Sequence, residues 1–319
     1  MGLALGALLF TGCAVNPPLE LAQLAATDTT QLRGVPFYPQ TEYECGPAAL
    51  AGVLGASGVA ITPQSLSPQV YLPGRQGSFQ VELVAAVRRA GRIPYLVDVT
   101  PQALVAELEA GKPVLVLQNL QTRHFPVWHY AVLTGLDARA NQLFLNSGEE
   151  QARPIDAPVF LRTWDWAGRW ALVALRPGEL PAGAQAADYI DAVLSFEAVA
   201  GTRAAVPAWE TALRQWPQDV RPFLAMGNQA YADDQLQAAA DYFRRGLQVS
   251  PEQPALTNNL ASVLGELGCP RAAEALLRPL ADRQASDSQW SPVMAATLAE
   301  LAAQGGLDPA FCRDRLITF

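Results

Sequence analysis

A step of 34 residues recurs through the last third of the chain and limits what that part can fold into. Ala205, Ala239 and Ala273 stand 34 apart, as do Trp209, Phe243 and Leu277, then Ala212, Gly246 and Leu280, while Pro217 returns as Pro251. Small residues where two helices touch, a large apolar residue four later and a closing proline describe helix pairs that bury their apolar faces only by stacking on neighbours. The clearest copy is FLAMGNQAY followed by AAADYFRRGLQVSP, with Gly227 at the helix crossing. Three copies span residues 186–287, and ATLAELAAQGG supplies part of a capping helix.

This pattern resembles the tetratricopeptide repeat, which implies an all-α solenoid whose concave face recruits a protein partner. Upstream the patterning differs. CGPAALAGVLGASG, FQVELVAAVRRAG and PQALVAELEAG predict helices that end at glycine. IPYLVDV, PVLVLQN, HYAVLTGLD, QLFLN and RWALVAL predict strands, and VPFYP a strand or extended entry. Helices first and antiparallel strands afterwards describe an α+β domain over residues 34–176. The Pro/Gly/Ala-rich stretch at 177–187 reads as a linker to the helical region at 188–319, and residues 14–33 as a polar tether.

The first residues, MGLALGALLF, are apolar but too short to span a bilayer. Thr11, Gly12 and Cys13 follow, and residues 1–13 together resemble a bacterial lipoprotein signal and its lipidation site, in which Cys13 becomes the lipidated first residue after cleavage. It predicts an exported protein, lipid-anchored in the envelope on the periplasmic side. Ala14 is not the aspartate of an inner-membrane retention signal, which favours the outer membrane.

A net charge of -8 and a pI near 4.9 argue against a nucleic-acid partner. The four cysteines include no CxxC pair, and the chain has two histidines, so no metal or other cofactor is expected. The same scarcity narrows the chemistry. Cys45 falls where an extended stretch gives way to a helix, with Gly46 next and Pro47 suited to the first turn. A thiol there faces free amide donors and the positive end of the helix dipole, which favours thiolate. Of the two candidate bases, His129 opens a strand that fixes its side chain, whereas His124 lies in a loop.

An imidazole base needs an orienting acceptor. Asp137 is eight residues along the same strand, too far to reach. Asn146 follows the return strand, and a regular hairpin turning near Arg139 places it opposite Leu133, so twist or a bulge must bring it to His129. Glu149 and Glu150 are rivals for the role.

Taken together, Gln40, Cys45-Gly46-Pro47-Ala48-Ala49, His129-Tyr130-Ala131-Val132 and Asn146 resemble the bacteriocin-processing (double-glycine leader) peptidases and their stand-alone relatives. The resemblance implies a papain-like cysteine peptidase fold, an N-terminal helix plus an antiparallel sheet, followed here by the tetratricopeptide-repeat solenoid. It also implies that the Gln40 side chain and the Cys45 N–H form an oxyanion hole. The last member is commonly aspartate in the bacteriocin processors and asparagine in papain. Leader peptidases proper are fused to a membrane ABC transporter, to which nothing here is similar, so double-glycine specificity does not carry over.

Three functions fit these residues: a peptidase acting on a peptide or protein substrate, a non-catalytic binding scaffold, and a thiol acyltransferase using the same Cys–His–Asn set. Glu42 and Glu44 flank the nucleophile as solvated charges or as contacts for a basic substrate. Cys269 and Cys312 are candidates for a disulfide pinning the chain end to the last repeat.

Overall fold

A computed structural model describes residues 19–39, 44–285, 288–305, 308 and 312. Cys13 and the leader, Gln40 and Glu42 lie outside the described residues.

The N-terminal part is built on one seven-stranded antiparallel sheet. Its strands are β1 (Thr29–Gln31), β2 (Ile93–Leu96), β3 (Val114–Asn119), β4 (Trp128–Asp137), β5 (Gln142–Ser147), β6 (Glu150–Asp156) and β7 (Ala171–Leu175). They lie in the order β2-β7-β3-β4-β5-β6, with β1 paired to the C-terminal half of β4. Five helices cover it: α1 (Cys45–Ala56), α2 (Pro63–Val70), α3 (Gln80–Arg89), α4 (Pro101–Glu109) and α5 (Ala157–Asp165). Strand alternation sends Leu115, Leu117, Tyr130 and Val132 to one face, where α1 to α3 cover them. Val114, Val116, Ala131 and Leu133 point to the other face, against α4 and α5.

Helix α1 is buried from Gly46 to Leu54, as a helix apolar on every side must be, and Gly58 follows its end with φ +86°. Helices α3 and α4 end before Gly91 and Gly111 in the same way. Part of the predicted tether is structured: Leu21 opens a short 3-10 turn and is buried, and β1 adds its strand to β4. Residues 35–39, where the sequence offers a strand or extended entry, form no strand.

The C-terminal part contains α6 (Ala186–Ala200), α7 (Thr202–Gln215), α8 (Arg221–Ala232), α9 (Leu236–Val249), α10 (Pro254–Glu266), α11 (Pro270–Ala281) and α12 (Trp290–Gln304). Helices α7, α9 and α11 each begin 34 residues after the last. The period therefore marks repeated helix pairs, and the matching positions Ala205, Ala239, Ala273, Trp209, Phe243 and Leu277 are all buried. Cys269 and Cys312 form a disulfide with Cα atoms 5.7 Å apart. Closing a loop of 43 residues contributes about 4 kcal/mol by the chain-entropy argument. Among the described residues no helix is long and apolar enough to cross a membrane.

The stretch read as a linker is a packed joint. Tyr189, Ile190 and Phe196 of α6 and Trp209 of α7 share one hydrophobic cluster with Ile93 and Tyr95 of β2. Thr211 donates to the Gly178 carbonyl at 3.1 Å. The Ala182 N–H donates to Glu107 Oε1 of α4 at 2.8 Å, while Oε2 lies 3.9 Å from the only lysine, Lys112. Burial is the largest influence on Glu107 and lifts its carboxyl above the ordinary 4.5, against the opposing Ala182 N–H and Lys112. An acid raised in the folded state stabilises the fold fully below pH 4.5 and loses that contribution as pH climbs through its raised value. Glu107→Gln, which keeps an acceptor for Ala182, should therefore raise Tm at pH 7 and flatten the decline between pH 4.5 and 7. Melting curves across that range check this, and a lower Tm for the glutamine variant at pH 7 would mean the Lys112 pairing outweighs burial.

Candidate active site

Cys45 is the first residue of α1, and its position follows from the local sequence. The first helical hydrogen bond runs from Ala48 N–H to the Glu44 carbonyl at 3.2 Å, so the amides of Cys45 and Gly46 come before the helical ladder begins. Gly46 has to be glycine. A Cβ there would stand 2.3 Å from Ser78 Oγ and 2.7 Å from Ser78 Cβ. The Ser78 carbonyl accepts the Tyr130 hydroxyl at 3.2 Å, which ties this wall of the site to the sheet.

His129 is the second residue of β4, opposite Gln118 of β3. Gln118 is buried and donates to Thr163 Oγ1 at 2.7 Å, which fixes the strand pair beneath the imidazole. Cys45 and His129 line the same cleft of about 790 Å³. Its walls include Leu72, Phe79, Val127 and Trp128, and among the described residues Arg75 is the one arginine or lysine lining it. Phe79 and Trp128 are 47% and 54% exposed and give the cleft an apolar lip.

The sulfur and the imidazole are not hydrogen-bonded to each other. Burial pushes the Cys45 thiol above its ordinary 9.0, and backbone N–H groups of Tyr130, Gly46 and Cys45 only partly offset it. Burial, followed by the Arg153 charge, holds His129 below 6.5. The resting pair is thus a neutral thiol beside a neutral imidazole. The helix terminus acts in the thiolate direction, as the sequence suggests, but desolvation of the sulfur outweighs it.

The residue beside the imidazole depends on a bulge. A shift between Leu133 and Gly135 sets Asn146 opposite Val132, one residue closer to His129 than an unbroken ladder would. Because strand side chains alternate, that single step also turns Asn146 to the other face, with Val132 and Thr134. There its Oδ1 accepts the Ala152 N–H at 3.0 Å, its Nδ2 is buried without a partner, and it borders a separate hollow of about 450 Å³. Ala152 has φ +51°, so the asparagine steadies a left-handed residue in β6. The imidazole is met by Ser147, whose Oγ lies 2.9 Å from His129 Nε2.

The remaining candidates stand apart. Asp137 accepts the Ala140 N–H at the far end of β4. Glu149 and Glu150 are exposed in the β5–β6 turn, where Glu150 lies 3.7 Å from Arg153. His124 is exposed in the loop between β3 and β4. Sequence reading passed over Ser147. Counting register from the turn at Gly148, where Ser147 pairs with Glu150, would have flagged it as a hydroxyl at the strand end nearest the histidine.

No curated protein matches the chain. Solved structures similar to it include a C39-like peptidase from Bacillus anthracis, a double-glycine-motif protease from an AMS/PCAT transporter in complex with leader peptide, and the peptidase domain of Streptococcus ComA, a bifunctional ABC transporter. Identities are 16%, 22% and 20%, with TM-scores of 0.40, 0.35 and 0.36. The likenesses cover 47%, 46% and 44% of this chain and 98%, 96% and 98% of the solved ones. The segment that carries Cys45 and His129, residues 32–171, matches the model of the Peptidase_C39 like family.

Proposed function

We propose that the protein is a cysteine peptidase that hydrolyses a peptide bond in a peptide or protein substrate. The observation that carries this is the shared cleft: a cysteine at a helix N-terminus and a histidine on the adjoining sheet, within the segment matched by the family model. The apolar lip suits side chains of an extended chain laid across the cleft.

The resting state is a neutral pair, so the proton moves as the bond forms. His129 takes the Cys45 proton while the sulfur attacks the scissile carbonyl. The Cys45 N–H and the Gln40 side chain stabilise the oxyanion, with such donors worth about 3 kcal/mol each. The imidazolium then protonates the leaving amine. Water, deprotonated by the same imidazole, attacks the thioester, and the carboxylate leaves as the thiol regains its proton. Asn146, the third member of the Cys–His–Asn set, does not touch the imidazole and acts at one remove, bracing through its bond to the Ala152 N–H the β5–β6 hairpin next to Ser147.

Around this centre we place an envelope protein, anchored by lipid at Cys13, whose C-terminal helix pairs act as tetratricopeptide repeats that recruit a substrate or partner. Their first pair shares a hydrophobic cluster with the sheet, so a captured chain would be held at a fixed orientation to the cleft. One observation favours a scaffold instead: the thiol and imidazole are unbonded at rest. Incubating the protein with an unfolded protein mixture and sequencing new termini separates the two. New termini that vanish with Cys45→Ala support the peptidase. None, with partner capture intact, supports the scaffold, and products joined to an added amine would mean acyl transfer.

A further inference from the structure

We infer that Ser147 is the positioning residue that sets the orientation and tautomer of His129, a role resting on the peptidase reading for its consequence but not for its geometry. The contact follows from register. His129 and Ala131 share one face of β4, and the bulge between Leu133 and Gly135 puts Asn146 on the opposite face with Val132. The next residue of β5, Ser147, thereby takes the face of His129, and its Oγ reaches Nε2 at 2.9 Å. Two supports hold the hydroxyl in place. Asn146 clamps Ala152 across the hairpin, and Ser147 itself pairs with Glu150 beside the Gly148 turn, where φ is +60°.

A serine hydroxyl can donate or accept; the role inferred here is acceptor from Nε2–H, which keeps the proton on that nitrogen and leaves the Nδ1 lone pair as the base. An imidazole has two nitrogens, and committing one to the hairpin leaves the other for the sulfur. Among the described residues, the charged or titratable groups that line the cleft with the ring or act on it are Cys45 from α1, Tyr130 from β4, Arg75, and Arg153 with its partner Glu150 from β6. None of these is hydrogen-bonded to Nε2, so among the described residues Ser147 is the partner of that nitrogen.

The chain has two histidines, so imidazole 15N spectra of the labelled protein contain two ring systems. Ser147→Ala should shift the His129 nitrogens toward a mixture of tautomers and lower its titration midpoint, because the imidazolium loses an acceptor. Ser147→Thr, which keeps the hydroxyl, should restore both. With a cleavable peptide, Ser147→Ala should lower kcat about 10- to 100-fold at nearly constant KM, the usual worth of a hydrogen bond to a charged group, and move the acid limb of the profile to lower pH. Unchanged 15N shifts, or a kcat that is unchanged or higher in Ser147→Ala, would overturn the assignment. If the wild type cleaves nothing, the peptidase reading falls by itself, and the nitrogen spectra still decide whether Ser147 holds the ring.

Discussion

His129→Ala is expected to lower kcat/KM toward a peptide substrate by about 10³- to 10⁴-fold, the loss typical when a general base is removed from a nucleophile that depends on it. The dependence is strong here because the thiol is held above 9.0 by burial and ionises little at neutral pH. A resting thiolate would survive loss of the histidine with more activity, since its proton has already gone. In the wild type the acid limb of kcat/KM should lie below pH 6.5, where burial and Arg153 hold the imidazole. Tm should change little, because the ring sits at a cleft edge and outside the hydrophobic clusters. His124→Ala, in an exposed loop, is the control and should leave the rate unchanged.

Gly227→Ala should produce a large loss of stability from a single methyl group. A Cβ on this residue of α8 would stand 2.2 Å from Phe243 Cε1, 2.5 Å from Cδ1 and 2.8 Å from Cζ. The ring belongs to α9, is 1% exposed, and lies in a cluster with Ala239, Leu256 and Leu260, so it has nowhere to withdraw. Pushing two packed helices apart costs about 2–3 kcal/mol, or a fall of roughly 5–10 °C in the melting of this region. Calorimetry of the variant reads it directly. Since Gly227 is in the helical part and Cys45 in the sheet domain, cleavage at 25 °C should persist. A wild-type melting curve would mean α8 and α9 do not cross at this glycine.

Much of this architecture can be read before any coordinates. Helix α1 begins at Cys45 because Pro47 fits a first turn, and it ends before a glycine. Strand β4 is announced by the alternation after His129, and the buried residues of α7, α9 and α11 repeat with the 34-residue step because each pair needs the next to cover it. The pairing of Cys269 with Cys312 was a sequence candidate as well. What escaped has physical causes. Strand β6 is exposed along nearly all of its length and carries no apolar alternation. Helices α2 and α5 are short, begin at or next to proline, and resemble turns when read alone. The bulge in β4 inserts Thr134 without a sequence signal, yet it decides that Ser147 and not Asn146 touches the imidazole. The thiolate expectation counted the helix terminus and could not count the burial of the sulfur.

The central claim is that Cys45 is a nucleophile activated by His129. The measurement that tests it most directly is intact-mass analysis and peptide mapping after reaction with a peptidyl acyloxymethyl ketone at pH 7, comparing wild type, Cys45→Ala and His129→Ala. The account predicts one adduct, on Cys45, forming at least 100-fold faster in wild type than in His129→Ala, in keeping with loss of a general base, and absent from Cys45→Ala. Equal rates in wild type and His129→Ala, or an adduct that forms only as the pH approaches 9, would show an ordinary buried thiol and contradict it.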